Sequence, residues 1–201
     1  MDAQRAVFLA KDCIVRSEAS GIDPAGLRLV DGVGEGLRLL RGAGFLFYVV
    51  GSEPGVARAH YEVRELESVG VRLGELLAAE GIALTGFSFC PHDPQGVRRG
   101  YAVDCVCRLP RPGLLWRAGR EHGIDLERSW MIGDTLDEIE GGVRAGCRTV
   151  LLDDGRETEW ALSERRLPHH VAVGPGEAAL LILEDEHLLD WRRRAGAVAA
   201  R

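Results

Sequence analysis

Cys90, His92, Cys105 and Cys107 have the residue types and the spacing of a metal site. The pattern is Cys-Pro-His, then twelve residues, then Cys-Val-Cys. Structural zinc takes a closed tetrahedron of thiolates and imidazole, and two short pairs can each grip one side of the ion. The stretch between them is rich in Pro, Gly and Arg and poor in apolar residues, so a metal clip would order what a core cannot. All four positions are filled. That predicts a structural zinc and makes His92 a ligand, not a general base. The competing reading is a set of unrelated small buried thiols beside a surface histidine. C-x-H with C-x-C is less common than paired C-x-x-C, so the pattern alone leaves that reading open. There are five cysteines, Cys13 and Cys147 included. An odd number with three crowded together is a poor disulfide framework.

The elements that must position this loop alternate along the chain. Apolar runs at 6–9, 45–50, 87–89, 130–132, 149–152 and 171–173 read as strands. Amphipathic stretches at 31–42, 57–80, 113–122, 136–145 and 177–200 read as helices. Alternation predicts an α/β fold with a parallel sheet covered on both faces, because parallel strands need crossover connections. Such sheets bind ligands at the carboxyl ends of their strands. Three loops then matter: Ala10–Ile14, Gly51–Gly55 and Gly133–Glu138. One domain is expected over 1–183, with 184–201 as a C-terminal helix or tail. There Leu188, Leu189 and Trp191 precede Arg192-Arg193-Arg194, which reads as a contact helix for a homodimer or protein partner, or as a frayed tail.

The totals exclude some classes. A chain of 201 residues, 46% hydrophobic and 28% charged, can bury one sizeable core. The formal charge of -6 argues against nucleic acid, whose phosphates need clustered Lys and Arg. No apolar run approaches the roughly 20 residues of a membrane helix. The opening MDAQRAVFLAKD lacks the basic and apolar segments of a signal peptide. The expectation is a cytoplasmic protein with no membrane partner.

Three segments carry a family resemblance: FCPHDPQG with CVCRLPRPG, SWMIGDTLDEIEGG, and TVLLDDGRETEW. Through them the chain resembles the haloacid-dehalogenase (HAD) superfamily of phosphatases. Within it, the chain is similar to the zinc-loop branch that holds heptose-1,7-bisphosphate phosphatase and the histidinol-phosphatase domain. The resemblance runs from Ala6 to Leu183. It implies a Rossmann-like, doubly wound sheet, essentially capless, with a zinc-bound loop. It also implies a mechanism. An Asp after the first strand attacks phosphorus, and an Asp two residues later serves as acid and base. A Thr or Ser after the second strand holds phosphoryl oxygens, and a Lys steadies the developing charge. Acidic residues after a later strand help hold magnesium.

The chain departs from that pattern. The family's D-x-D-G-T is Ala10-Lys11-Asp12-Cys13-Ile14. A methyl group replaces the nucleophile, while Asp12 survives as the acid/base. The phosphoryl-binding hydroxyl is replaced by Gly51, with Ser52 next door as a partial substitute and Glu53 adding negative charge. C-R-K-P reads Cys107-Arg108-Leu109-Pro110, so the Lys is gone. Arg108 stays, to grip a phosphate or carboxylate or to pair with a surface acid. Gly133-Asp134 persists, with Glu138 where an Asp is usual. These losses predict a pseudophosphatase that binds a phosphorylated sugar, another small anion or a protein partner. The alternative is an active phosphomonoester hydrolase of the heptose-bisphosphate phosphatase type, with Asp12 activating water and a divalent cation at Asp134. Magnesium is left with Asp12 and Asp134 as candidate ligands, residues that read equally well as loop hydrogen-bonders. Cys13 reads as a small buried replacement for Gly, against a thiol nucleophile that has no neighbouring His to activate it. His169-His170 reads as a loop more than as a metal pair, and Trp160 and Trp191 as packing residues.

Overall fold

A computed structural model describes residues 4–17, 22–153, 155 and 161–199, with side chains up to His187. The chain begins with β1 (Ala6–Ala10), all five residues of which are buried. A single helical turn, α1 (Lys11–Ile14), follows at once. A two-stranded antiparallel hairpin comes next, β2 (Val15–Ser17) with β3 (Leu27–Leu29). Then come α2 (Val33–Gly42), β4 (Leu46–Ser52), α3 (Val63–Ala79) and β5 (Gly86–Cys90). The second half holds α4 (Gly113–His122), β6 (Trp130–Gly133), α5 (Leu136–Ala145), β7 (Arg148–Leu152), β8 (His170–Ala172) and α6 (Pro175–Ala199).

Six strands form one parallel sheet in the order β5-β4-β1-β6-β7-β8. This is the predicted α/β arrangement, with β1 at the switch point where the strand order reverses. The apolar runs are continuous because both faces of a parallel sheet are covered. Phe8, Phe47 and Trp130 are among its largest fully buried side chains. Helix α2 packs on α6, and α4 on α5. No helix among the described residues is long and apolar enough to cross a membrane.

Several details differ from the sequence expectation. Helix α3 starts at Val63, not Ala57, because a reciprocal capping box between Glu62 and Glu65 sets its first turn. Residues 54–61 form turns instead. The β2–β3 hairpin and α1 have no counterpart among the predicted elements. The expected boundary between 183 and 184 falls inside one unbroken helix, α6. Polar contacts tie that helix to the sheet past this point. Trp130 Nε1 donates to Glu186 Oε1 at 3.0 Å, while Arg148 and His170 both reach Asp185. The two adjacent histidines are engaged separately. His169 Nδ1 accepts from the Thr149 backbone N–H at 3.1 Å, and His170 Nε2 lies 2.7 Å from Asp185. Trp160, the end of the TVLLDDGRETEW segment and the side chain of Trp191 lie outside the described residues.

Candidate functional site

Strand β5 ends at Cys90, whose side chain is fully buried. From there the chain enters the loop that the sequence marks as a metal clip. The ligand atoms of Cys90, His92, Cys105 and Cys107 converge within 4.8 Å of one another. Cys107 Sγ lies 3.2 Å from Cys90 Sγ, 3.3 Å from Cys105 Sγ and 3.3 Å from His92 Nδ1. Cys90 Sγ is 3.5 Å from both Cys105 Sγ and His92 Nδ1. A tetrahedron with zinc bonds of about 2.0 to 2.3 Å has edges of roughly 3.5 to 3.8 Å. The four donors already stand near its corners, and their chemistry fits zinc. Hydrogen bonding with Cys90, then with Cys105 and His92, pushes the Cys107 thiol down to about 5. The same bond to Cys107, with burial, pushes Cys90 up.

The loop has its own polar frame. The Asp93 carboxylate is buried, accepts from the Gln95 N–H at 3.1 Å and pairs with Arg58 Nε at 2.7 Å. Arg111 donates to the Cys105 carbonyl at 2.6 Å. Two bonds then fasten the loop to the end of β4: Glu53 N–H donates to the Cys90 carbonyl at 2.8 Å, and Leu109 N–H to Ser52 Oγ at 3.1 Å. Arg108 Nη1 closes the loop on itself, donating to the His92 carbonyl at 2.9 Å.

Those strand ends enclose a pocket of about 220 Å³ lined by Lys11, Asp12, Gly51, Ser52, Glu53, Arg108, Leu109 and the start of α5. A larger, shallower groove of about 740 Å³ runs between Pro24 and α3. We assign the site to the smaller pocket, because it lies at the carboxyl ends of β1, β4 and β6, where open α/β sheets bind ligands.

The pocket's floor is apolar. Ala10, Cys13, Ile14 and Leu109 are all at most 5% exposed and belong to the main core. Leu109 packs so closely on α5 that a Cβ at Gly141 would lie 2.4 Å from its Cδ2. A side chain at Gly51 would meet Phe89 Cδ1 at 3.2 Å and Lys11 Cβ at 3.7 Å. Ser52 Oγ is committed to the Leu109 amide, and Arg108 also sits 3.8 Å from Asp93.

The charge in the pocket comes from a residue that sequence reasoning passed over. Lys11 Nζ sits 2.8 Å from Asp12 and 3.0 Å from Glu53. Tyr61 Oη donates to the other Glu53 oxygen at 2.9 Å. Burial acts to lower the Lys11 pKa, but Asp12 and Glu53 outweigh it and hold it above the ordinary lysine value. Burial and Glu53 push the Tyr61 phenol up. The available signal was that Lys11 is the only lysine in the chain and falls in the first candidate loop.

Asp12 and Asp134 do not share one metal-ligating group. Asp12 is exposed at the mouth, while Asp134 is buried and grouped with Cys13 and Glu138. Glu138 Oε2 accepts from the backbone N–H groups of Asp134 and Thr135 at 2.9 and 3.2 Å. Burial and the Asp134 charge push the Glu138 carboxyl up to about 8. Magnesium demands six near-octahedral oxygens. Ala10 offers no side-chain oxygen and Cys13 presents sulfur, so the side chains here give magnesium fewer oxygens than the family pattern does, and a thiol it does not use.

The HAD-hydrolase-like family profile matches residues 106–174. The D-glycero-D-manno-heptose-1,7-bisphosphate 7-phosphatase of Thermosynechococcus vestitus is 33% identical over 175 residues, covering 83% of this chain and 89% of that protein. The chain belongs to this HAD family. The family's Escherichia coli member, a D-glycero-beta-D-manno-heptose-1,7-bisphosphate 7-phosphatase, is 31% identical over 148 residues, 73% of this chain and 78% of its own. A HAD-like protein of Mesorhizobium loti superposes with a TM-score of 0.75 at 28% identity, covering 89% of this chain and 86% of that one. The D,D-heptose 1,7-bisphosphate phosphatase of B. bronchiseptica, solved with magnesium and phosphate, shares the fold. Its TM-score is 0.71 at 23% identity, covering 90% of this chain and 99% of that one.

Proposed function

We propose that this HAD-family chain keeps the zinc loop and the pocket of a sugar-phosphate phosphatase but acts by binding, without the covalent aspartyl-phosphate route. The observation that carries this reading is Ala10. It ends β1 fully buried, where the family resemblance calls for the nucleophile, and a methyl group cannot form an acyl phosphate. The ligand class is a phosphorylated sugar or a related small anion, with Arg108 and the Ser52 region as its contacts. The heptose-bisphosphate chemistry of the relatives supports this choice. Zinc in the Cys90–Cys107 loop is structural, since all four donor positions are filled by protein.

Family membership on its own favours a second reading. The relatives are named phosphatases, and Asp12 is exposed at the pocket mouth, where it can act as a general base. In this reading Asp12 takes a proton from water as its oxygen bonds to phosphorus, the bond from phosphorus to the sugar oxygen breaks, and Asp12 returns the proton to the leaving oxygen. One screen separates the two. The purified chain is offered sugar mono- and bisphosphates, and phosphate release is measured beside ligand-induced shifts in melting temperature. We expect melting shifts with at least one sugar phosphate and no release above background. Release that disappears in Asp12→Asn would establish the hydrolase and sink the binding reading.

A further inference from the structure

Two departures from the family pattern, far apart in sequence, meet in space. Cys13 stands where the family has glycine, and Glu138 where it usually has aspartate. The structure brings Cys13 Sγ, a carboxylate oxygen of Asp134 and one of Glu138 within 4.8 Å of one another. We infer that these three residues form a second metal site, one that takes a thiophilic divalent cation of the zinc, cobalt or cadmium class in place of magnesium.

The site is held by rigid parts. Cys13 lies on the α1 turn directly after β1 and is 1% exposed. Asp134 follows β6, and Glu138 is on the first turn of α5, where it closes a capping box with Thr135. Two backbone N–H groups fix Glu138 Oε2, so the position of its carboxylate is set before any ion arrives. Carboxylate oxygens of Asp134 and Glu138 lie within 4.8 Å of each other, close enough for one cation to bridge them. The lysine nearby is spoken for: Lys11 turns to Asp12 and Glu53. Glu138 lines the 220 Å³ pocket, which gives the ion and a fourth, water ligand a way in.

Ligand chemistry selects the metal. Magnesium binds oxygen in near-ideal octahedra and has no use for a thiol. One thiolate with two carboxylates suits zinc, cobalt or cadmium in a four-coordinate site with one open position. The zinc loop, with three thiols and an imidazole, is the first such site. This one is the second, and it holds whether or not the pocket hydrolyses anything.

The test is stoichiometry and spectroscopy on the full chain, stripped of metal and loaded with cadmium-113. Two bound ions per chain are expected, giving two resonances: one far downfield from the three-thiolate loop and one well upfield from the mixed site. Cys13→Ser should abolish or shift only the upfield signal and weaken that site at least tenfold, leaving the loop signal in place. Magnesium in large excess should not displace either ion. A single equivalent of cadmium in the unaltered chain overturns the inference without any variant. So does a second signal that Cys13→Ser leaves unmoved, or one that magnesium removes.

Discussion

Two loops at the same end of the sheet have gone different ways. In the Cys90–Cys107 loop, polar donors still converge on one point, and a frame of Asp93, Arg58 and Arg111 holds them there. On the pocket floor, positions where the family resemblance calls for catalytic groups hold packing residues instead: Ala10 and Ile14 beside β1 and Leu109 at the exit of the Cys90–Cys107 loop sit in the main core. The two are not independent, since Glu53 and Ser52 at the end of β4 bond to Cys90 and Leu109 on one side while Glu53 pairs with Lys11 on the other. A loop of low apolar content gains most from a metal clip, and its four donors are placed to take one. A catalytic group at the top of a buried strand needs no such clip, and can be exchanged for an apolar residue with a gain in burial. Structure was retained where the core cannot replace it.

The most severe way to break this contrast is to remove the clip. Cys90→Ser deletes a fully buried ligand at the end of β5. The expected outcome is loss of the bound metal, with stability lowered on the order of 5 kcal/mol. Metal content and denaturant unfolding read both. Unchanged stability would show that the loop's hydrogen bonds suffice alone.

The next largest effect comes from putting chemistry back. Ala10→Asp, Ile14→Thr, Gly51→Thr and Leu109→Lys together return the family pattern. If the pocket floor is now core, this costs about 4 kcal/mol, chiefly from a lysine buried against Gly141 and a hydroxyl at Ile14. Equilibrium unfolding measures it. Stability equal to that of the unaltered chain would mean that the site is dormant, not repacked.

A third test stays inside the pocket. Lys11 and Glu53 are each less than a fifth exposed, so among the described residues Lys11→Met leaves the Glu53 carboxylate with the Tyr61 hydroxyl as its one side-chain donor. A loss of about 2 kcal/mol is expected. Adding Glu53→Gln should recover part of it, and a cycle of the four proteins isolates the pair. Strict additivity would deny Lys11 its role as the pocket's internal cation.

The fold was legible wherever burial on both faces made a strand continuously apolar, as in Phe45–Val50 and Trp130–Ile132. The hairpin strands Val-Arg-Ser and Leu-Arg-Leu were not, because three residues cannot display a period. The amphipathic pattern over 57–80 does not mark where helix α3 begins, because its start is a cap formed by Glu62 and Glu65. The convergence of Cys90, His92, Cys105 and Cys107 was readable because the two pairs are local. The meeting of Cys13 with Asp134 and Glu138, and of Lys11 with Glu53, depends on which strands lie side by side. No local pattern in one chain carries that information.

The smallest expected effect tests whether the metal loop leans on anything besides its metal. The Gln95 N–H holds the Asp93 carboxyl below the usual carboxylate range. Burial opposes this, and Arg58 and Arg108 add to it. A carboxyl depressed in the folded state contributes stability above its unfolded value, about 3.9, and loses it as pH falls through the folded value. Asp93→Asn should therefore lower stability at pH 7 and flatten the acid limb below about pH 4, so that the two proteins converge in acid. Acid also drives protons onto the zinc thiolates, but that loss is common to both proteins, so the difference between their melting curves across pH isolates Asp93. If the two limbs superimpose, the Asp93–Arg58 frame is an ornament of the clip. If they part, the loop survived because a polar frame and a metal hold it jointly, a pairing that the pocket floor beside it no longer has.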